Sequence, residues 1–370
     1  MRERRKKKFG RGSQINKNQN KEFGRVIRTQ KRLQKRKKAK PGKAQPIMSI
    51  HLSLLLLLHL PPSITSLGNW AGNQQFQATE ENILTPNNER ELIHAVKSAT
   101  GNIKPMGSRH SFSSVADTMP GGTIIRMTSV NQVIDCCYEG RVIVQPGITY
   151  AALGEYLNER GFGLANYASL PHLTVGGAIM TSTHGSGGLN NNILAGEVLS
   201  YEMVTMDDMH SVWDFHQDDI HFYSNLVSLG SVGILTSVTL KVEPQYDIKQ
   251  CIYPKVSWDT LLESDEAPRQ LYEMAYSVSA FTDWKKNDDD GSYDWLSSIW
   301  LKHKLVKKDN DEDVKCPIFQ GVEARNFHPI PSRDPADDCS PVGVGPSHVM
   351  LPHFLPHKEP SAGGDELQSE

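Results

Sequence analysis

Cysteine is scarce and poorly spaced for metal binding: the 370 residues hold five, Cys136, Cys137, Cys251, Cys316 and Cys339. They form no C-x-x-C pair and no finger spacing, and their number is odd, so neither a disulfide framework nor a structural zinc site is expected. The two familiar phosphate-binding motifs are missing. No G-x-G-x-x-G follows a strand and opens a helix, because Gly185-Ser186-Gly187-Gly188 runs into Leu189 and Asn190, and no G-x-x-x-x-G-K-[ST] occurs. Rossmann-type dinucleotide binding and P-loop hydrolysis are demoted accordingly. The chain has no N-x-S/T sequon, which removes one mark of many secreted domains. Long apolar runs are absent too. The run from Ile50 to Leu60 is interrupted by His51 and His59 and falls well short of the roughly twenty residues of a spanning helix, so no transmembrane helix is expected.

The net charge of −2 hides a sharp split. Residues 1–47 carry 19 Lys/Arg against two Glu, a net of +17, and residues 48–370 carry 21 Lys/Arg against 40 Asp/Glu, a net of −19. The acidic body argues against nucleic-acid binding by the folded part. The basic stretch has too few apolar residues to offset the entropy of ordering it, so it is read as a disordered extension that joins no folded core. It suits a nuclear-localisation or polyanion-binding arm, or a translated upstream stretch that belongs to no folded unit. Residues 48–67 open with Met48 and an apolar core like that of a secretory signal, which implies secretion if translation starts at Met48 and a cytoplasmic location otherwise.

Regular patterning begins near Thr85. Asn88 and Glu91 form a capping pair ahead of a helix whose Leu92, Ile93 and Val96 share a face and which Gly101 would end. Ile103 to Met106 reads as a strand running into Gly107-Ser108-Arg109-His110-Ser111-Phe112, a glycine-opened turn of small hydroxyl residues suited to an anion such as a pyrophosphate. A second unit follows: strand Val142–Gln145, turn Pro146-Gly147, helix Thr149–Arg160, then Gly161 at its C-terminal cap. The stretch from Gly176 to Gly188 is almost all Gly, Ala, Ser and Thr, which fills no core but lets a flat ligand approach the backbone. It reads as a cofactor lining; a flexible linker is the bland alternative, disfavoured by the Ile, Met and His at its centre. Strands at Val198–Thr205 and Val232–Val242 complete an α+β unit of about 170 residues that closes near Pro244.

Five segments together carry a resemblance: Asn69-Trp70-Ala71-Gly72-Asn73, Gly107 to Phe112, Ala168 to Gly188, Gly230-Ser231-Val232-Gly233-Ile234 and Ser277 to Trp284. In this order they resemble the FAD-linked oxidases of the vanillyl-alcohol-oxidase superfamily, most of all the alditol (xylitol) oxidases and the aldonolactone oxidases that act on L-gulonolactone and D-arabinono-1,4-lactone. The resemblance implies a two-subdomain α+β FAD-binding domain of the PCMH type over residues 68–245. An α+β substrate domain, C-terminally incomplete, would follow over residues 246–370. It implies FAD bonded covalently through His110 to the flavin 8α-methyl carbon. Pro105, Met106, Gly107, Ser108, Arg109 and Ser111, with Thr181, Ser182, Thr183 and His184, would contact the phosphates and ring. Thr174, Gly177 and Ile234 would complete the pocket. Ser169 would face the flavin and substrate, and Ala168 would bear on dioxygen access. Residues 168–188 contain no cysteine, so a second, cysteinyl flavin bond is not expected.

The implied reaction is oxidation of a sugar-alcohol or aldonolactone hydroxyl by hydride transfer to flavin, with dioxygen as acceptor and hydrogen peroxide as product. The partners are then a small polyol or aldonolactone and dioxygen, with no metal. In the alditol oxidases the charged residues that hold the polyol lie beyond an L-Q-S-E motif, and here Leu367 to Glu370 is that motif. The expectation is a chain of doubtful activity, with a catalytically inactive FAD-binding remnant in a binding or regulatory role as the alternative. A metal enzyme built on His110, His172 and His184 lacks the spacing such sites favour. The tryptophans Trp258, Trp284, Trp295 and Trp300 suit either a cap over a cofactor or an ordinary core. Asp288 to Asp290 and Asp309 to Asp313 read as exposed acidic loops.

Overall fold

The computed structural model describes residues 67–186, 193–205, 212–258, 264–282, 295–305, 315–319, 321–324 and 343–353, all within one compact unit. The basic extension, the leucine run, Gly187 and Gly188, the two acidic loops and the terminal L-Q-S-E lie outside the described residues. The α+β expectation holds. No helix among the described residues is long and apolar enough to cross a membrane.

The first sheet is small and parallel. Strands β1 (Ile83–Leu84) and β2 (Ile103–Met106) flank β3 (Thr123–Arg126). Helix α1 (Glu89–Ser98) covers it. The helix starts where Asn88 Oδ1 accepts the Glu91 N–H at 2.9 Å and the Glu91 carboxylate accepts the Asn87 N–H at 2.9 Å, a reciprocal pairing that satisfies backbone donors at the helix entry, with Asn88 Nδ2 donating to the same carboxylate at 2.8 Å. Leu92 and Val96 are wholly buried; Ala95 completes that face rather than Ile93, which is half-buried. Each such aliphatic side chain contributes about 2 kcal/mol by leaving water.

The second sheet is antiparallel, in the order β4 (Val133–Cys136), β5 (Arg141–Val144), β9 (Gly233–Lys241), β7 (Val198–Thr205), β8 (Val212–His216). Between β5 and β7 the chain forms α2 (Tyr150–Asn158), the short β6 (Phe162–Gly163) and α3 (Val175–Met180). Central β9 is buried at eight successive positions because both of its faces are covered. Leu235, Val238 and Leu240 join the main core with α2 and α3, while Ile234 joins the core under α1. One strand thus ties the two sheets together and brings its N-terminal end to the site.

After β10 (Glu243–Pro244), which pairs with β6, a third, antiparallel sheet runs β12 (Ser277–Phe281), β13 (Trp295–Leu305), β11 (Asp247–Ser257), β14 (Gly343–Pro346). Its core includes Cys251, Tyr253, Val278, Ile299 and Leu301. Cys251 is bonded to Cys316, with Cα atoms 5.7 Å apart and a sequence separation of 65. This corrects the expectation drawn from cysteine spacing: sequence distance says nothing about which chain segments a sheet brings together. Trp300 is wholly buried beside Phe281 and His353, an ordinary core tryptophan. Next to it Lys302 is 1% exposed and its Nζ donates to the carbonyls of Leu351 and Pro352 at 2.7 and 3.0 Å.

Candidate active site

Strand β2 delivers Met106 into the core and then turns at Gly107. The turn is held from three directions. Arg109 adopts φ 60°, a left-handed conformation that a side chain other than glycine takes only when its surroundings demand it. Its guanidinium donates to the Gly68 carbonyl at 2.9 Å, and its own carbonyl accepts the Trp70 N–H at 2.9 Å. Asn69 Nδ2 donates to the Ser111 carbonyl at 2.8 Å. The N-W-A-G-N segment is therefore a clamp on the turn that presents His110.

Across from it runs the loop from Ala168 into α3. The Tyr150 and Val175 N–H groups donate to the carbonyls of Leu173 and Ile148 at 3.0 and 2.8 Å, and Thr149 and Thr174 form a β-bridge, so this loop is fixed against the start of α2. Ser108 staples the two loops: its hydroxyl donates to the His172 carbonyl at 2.8 Å and accepts the Thr174 N–H at 3.1 Å.

Between these segments lies a cavity of about 410 Å³. Its walls come from the 105–116 segment, Leu170 to Thr183, Pro146, Leu229, Gly230 and the start of β9 at Ile234 and Leu235, with Trp70 at one side. The lining is mainly apolar with hydroxyls of Ser108, Ser111, Thr174, Thr181 and Thr183 interspersed, the mixture a flat heteroaromatic with a polar tail needs. Glycine makes the walls thin. A Cβ on Gly176 would come within 2.6 Å of Pro146 Cβ, and one on Gly230, whose φ is +68°, within 2.6 Å of Pro105 Cγ. These residues therefore fit FAD: close-approach glycines around an apolar slot are what a planar ring and its phosphates require.

Two imidazoles meet at the wall. His110 Nε2 and His172 Nε2 are in direct hydrogen-bond contact. Trp70 stacks on His110 with centroids 4.4 Å apart and planes at 26°, while the His172 ring lies 4.3 Å from it and tilted by 49°. Burial, reinforced by His172, pushes the pKa of His110 down to about 4, so His110 is a neutral imidazole at physiological pH.

Of the residues named from sequence, Pro105, Gly107, Ser108, Arg109, His110, Ser111, Thr174, Gly177, Thr181, Thr183 and Ile234 all line this cavity. Four do not. Met106 points into the core with Phe76 and Ile124. Ser182 (φ 56°) forms the bend after α3. His184 is exposed, with Nδ1 2.9 Å from the Gly185 carbonyl. Ser169 stands beside the lining residue Leu170, and its carbonyl accepts the His353 N–H at 2.9 Å. Sequence reasoning passed over Trp70 as a wall and named His172 only as a metal-ligand candidate. The signal for both was present in the N-W-A-G-N and L-P-H-L segments, but only folding places them against His110.

Comparison with known proteins points to the same cofactor. Residues 81–210 match a family described as an FAD binding domain. The chain is 33% identical over 311 residues to an alditol oxidase from Streptomyces sp., covering 83% of this chain and 69% of that one. It is 31% identical over 202 residues to an L-gulono-1,4-lactone dehydrogenase from Mycobacterium tuberculosis, covering 54% of this chain and 45% of the relative. In fold it is similar to cholesterol oxidase from Brevibacterium sterolicum, with a TM-score of 0.53 at 17% identity over 70% of this chain and 50% of the other. The chain thus spans about two thirds of the alditol oxidase and under half of the lactone dehydrogenase.

Proposed function

Because the chain belongs to the FAD-linked family of alditol and aldonolactone oxidoreductases, we propose that it holds FAD in the 410 Å³ cavity and serves the oxidation of a polyol or aldonolactone hydroxyl. When bound, FAD supplies a two-electron acceptor for the hydride of a CH–OH carbon, which dioxygen then reoxidises with release of hydrogen peroxide. The observation that carries this reading is the pairing of a glycine-thinned apolar slot with a neutral, clamped His110 at its wall.

The chain's residues divide the work by position. Gly107, Gly176, Gly177 and Gly230 let the backbone approach the cofactor, Ser111, Thr174 and Thr183 supply hydroxyl partners for its phosphates and ring edges, and Ser108 and Thr181, whose hydroxyls donate to the carbonyls of His172 and Gly177, hold the walls in place. Arg109 offers a cation near the same turn. His110, neutral and pinned between Trp70 and His172, is the nucleophile for attachment at the 8α carbon. Ser169 offers a hydrogen bond to the substrate hydroxyl, its backbone fixed by the His353 N–H. Burial of Leu170, Leu173 and Met180 against the ring would exclude water from the reacting face.

The test is anaerobic reduction. Purified, flavin-loaded protein is mixed with xylitol, sorbitol, L-gulono-1,4-lactone or D-arabinono-1,4-lactone, the flavin absorbance is followed, and air is then admitted while peroxide is assayed. Bleaching by at least one of them, with peroxide formed once air is admitted, would support the substrate reading. Protein that carries flavin but is bleached by none would sink the substrate reading and favour a flavin-holding protein without turnover. Protein that takes up no FAD would sink the cofactor assignment to this cavity.

A further inference from the structure

The inference concerns how the proposed His110–FAD bond is made, and it rests on that reading. We propose that His172 is the base that prepares His110: its Nε2 accepts the proton carried on His110 Nε2, leaving His110 Nδ1 with the lone pair that bonds the flavin 8α carbon. The two Nε2 atoms are already in hydrogen-bond contact. Trp70 closes one face of the His110 ring. His172 is 8% exposed, and its loop is stapled to the His110 turn through Ser108 and held to α2 by the Ala151 N–H, which donates to the Pro171 carbonyl at 2.7 Å. The loop that carries His172 is therefore held against the His110 turn and α2 independently of the contact between the two rings.

An imidazole that attacks carbon through one nitrogen must shed the proton on the other, or end as a buried cation. In this half-buried site that cation is disfavoured, as the lowered pKa of His110 shows. A neighbouring imidazole in contact with the second nitrogen gives the departing proton an acceptor, so that it need not stay on the ring that bonds carbon. The step balances as follows. The His110 Nδ1–C8α bond forms; one C8α–H bond and the His110 Nε2–H bond break. The methyl hydrogen leaves as a proton, the Nε2 proton passes to His172, and the electron pair of the C–H bond stays on the ring system, which is reduced by two electrons. Dioxygen takes up that pair with two protons and leaves as hydrogen peroxide, one for each attachment.

The full chain is produced as wild type, His110→Ala, His172→Ala and His172→Gln, the last keeping an acceptor of similar reach that cannot take a proton. Total flavin is read from absorbance, attached flavin from the acid-precipitated pellet, and the rate of attachment from FAD added to flavin-depleted protein. His172→Ala and His172→Gln are expected to hold FAD that acid releases, with attachment slowed about 100-fold or more. Added imidazole should restore acid-stable flavin to His172→Ala but not to His110→Ala. Attachment at the wild-type rate in either His172 variant would overturn the proposal, as would failure of both to retain any flavin even with imidazole present. Wild-type protein whose flavin is wholly acid-released would instead overturn the covalent attachment itself, so the two failures are told apart.

Discussion

Gly107 faces Thr174 so closely that a Cβ at position 107 would overlap the Thr174 hydroxyl oxygen. The turn that carries His110 and the loop that carries His172 can approach each other only because one of them lacks a side chain there. Gly107→Ala is expected to lower stability by about 1–3 kcal/mol through overpacking and to reduce retained FAD, because the loops must part. Thr174→Ala on that background removes the overlapping hydroxyl and should restore part of both. Thermal melts and the flavin-to-protein absorbance ratio check this; unchanged flavin content in Gly107→Ala would show that the approach is not needed.

Local structure was legible where chemistry is local. The Asn88–Glu91 cap, the Ile103–Met106 strand and the Gly161 cap each follow from residues within a few positions of one another, and each stands where the spacing puts it. The cavity lining was legible for a different reason: glycine and small hydroxyl residues gathered in two segments have no core role to play. What the sequence concealed is contact between distant segments. The hydrogen-bonded His110 and His172 are 62 residues apart, Pro105 meets Gly230, and Cys251 meets Cys316 at a sequence separation of 65. No periodicity encodes such pairs. Met106 was misplaced by its neighbours, since strand alternation turned it to the core while Pro105 and Gly107 turned to the cavity.

Lys302 predicts a pH dependence. Burial lowers its pKa to about 7 in the folded protein, against about 10.4 in an unfolded chain. Between those values the unfolded state binds more protons, so stability rises with pH; the cost of burying the group is full below pH 7 and fades toward pH 10. The slope can reach about 1.4 kcal/mol per pH unit. Urea unfolding at pH 7, 8 and 9 should show this rise in the wild type and a flatter profile in Lys302→Met. The variant should also be less stable at pH 9, where it leaves the Leu351 and Pro352 carbonyls without their donor. Equal slopes would mean that the lysine remains charged in the fold.

The Cys251–Cys316 bond closes a long loop, which by the chain-entropy account stabilises the fold by up to about 4 kcal/mol. Cys316→Ser should lower the urea midpoint by an amount that reductant reproduces in the wild type. Reductant should leave the variant unchanged. A wild-type midpoint indifferent to reductant would remove this bond from the account.

The central claim, that His110 carries the flavin, is tested most directly by peptide mapping. Trypsin cuts after Arg109 and Arg126, and the peptide 110–126 contains His110 as its sole histidine. Acid-precipitated wild-type protein is digested, flavin-fluorescent peptides are isolated and their masses are measured. The account predicts one fluorescent peptide, 110–126 plus the mass of the flavin cofactor less two hydrogens, absent from His110→Ala. Flavin recovered wholly in the acid supernatant, or attached to any other peptide, would contradict it.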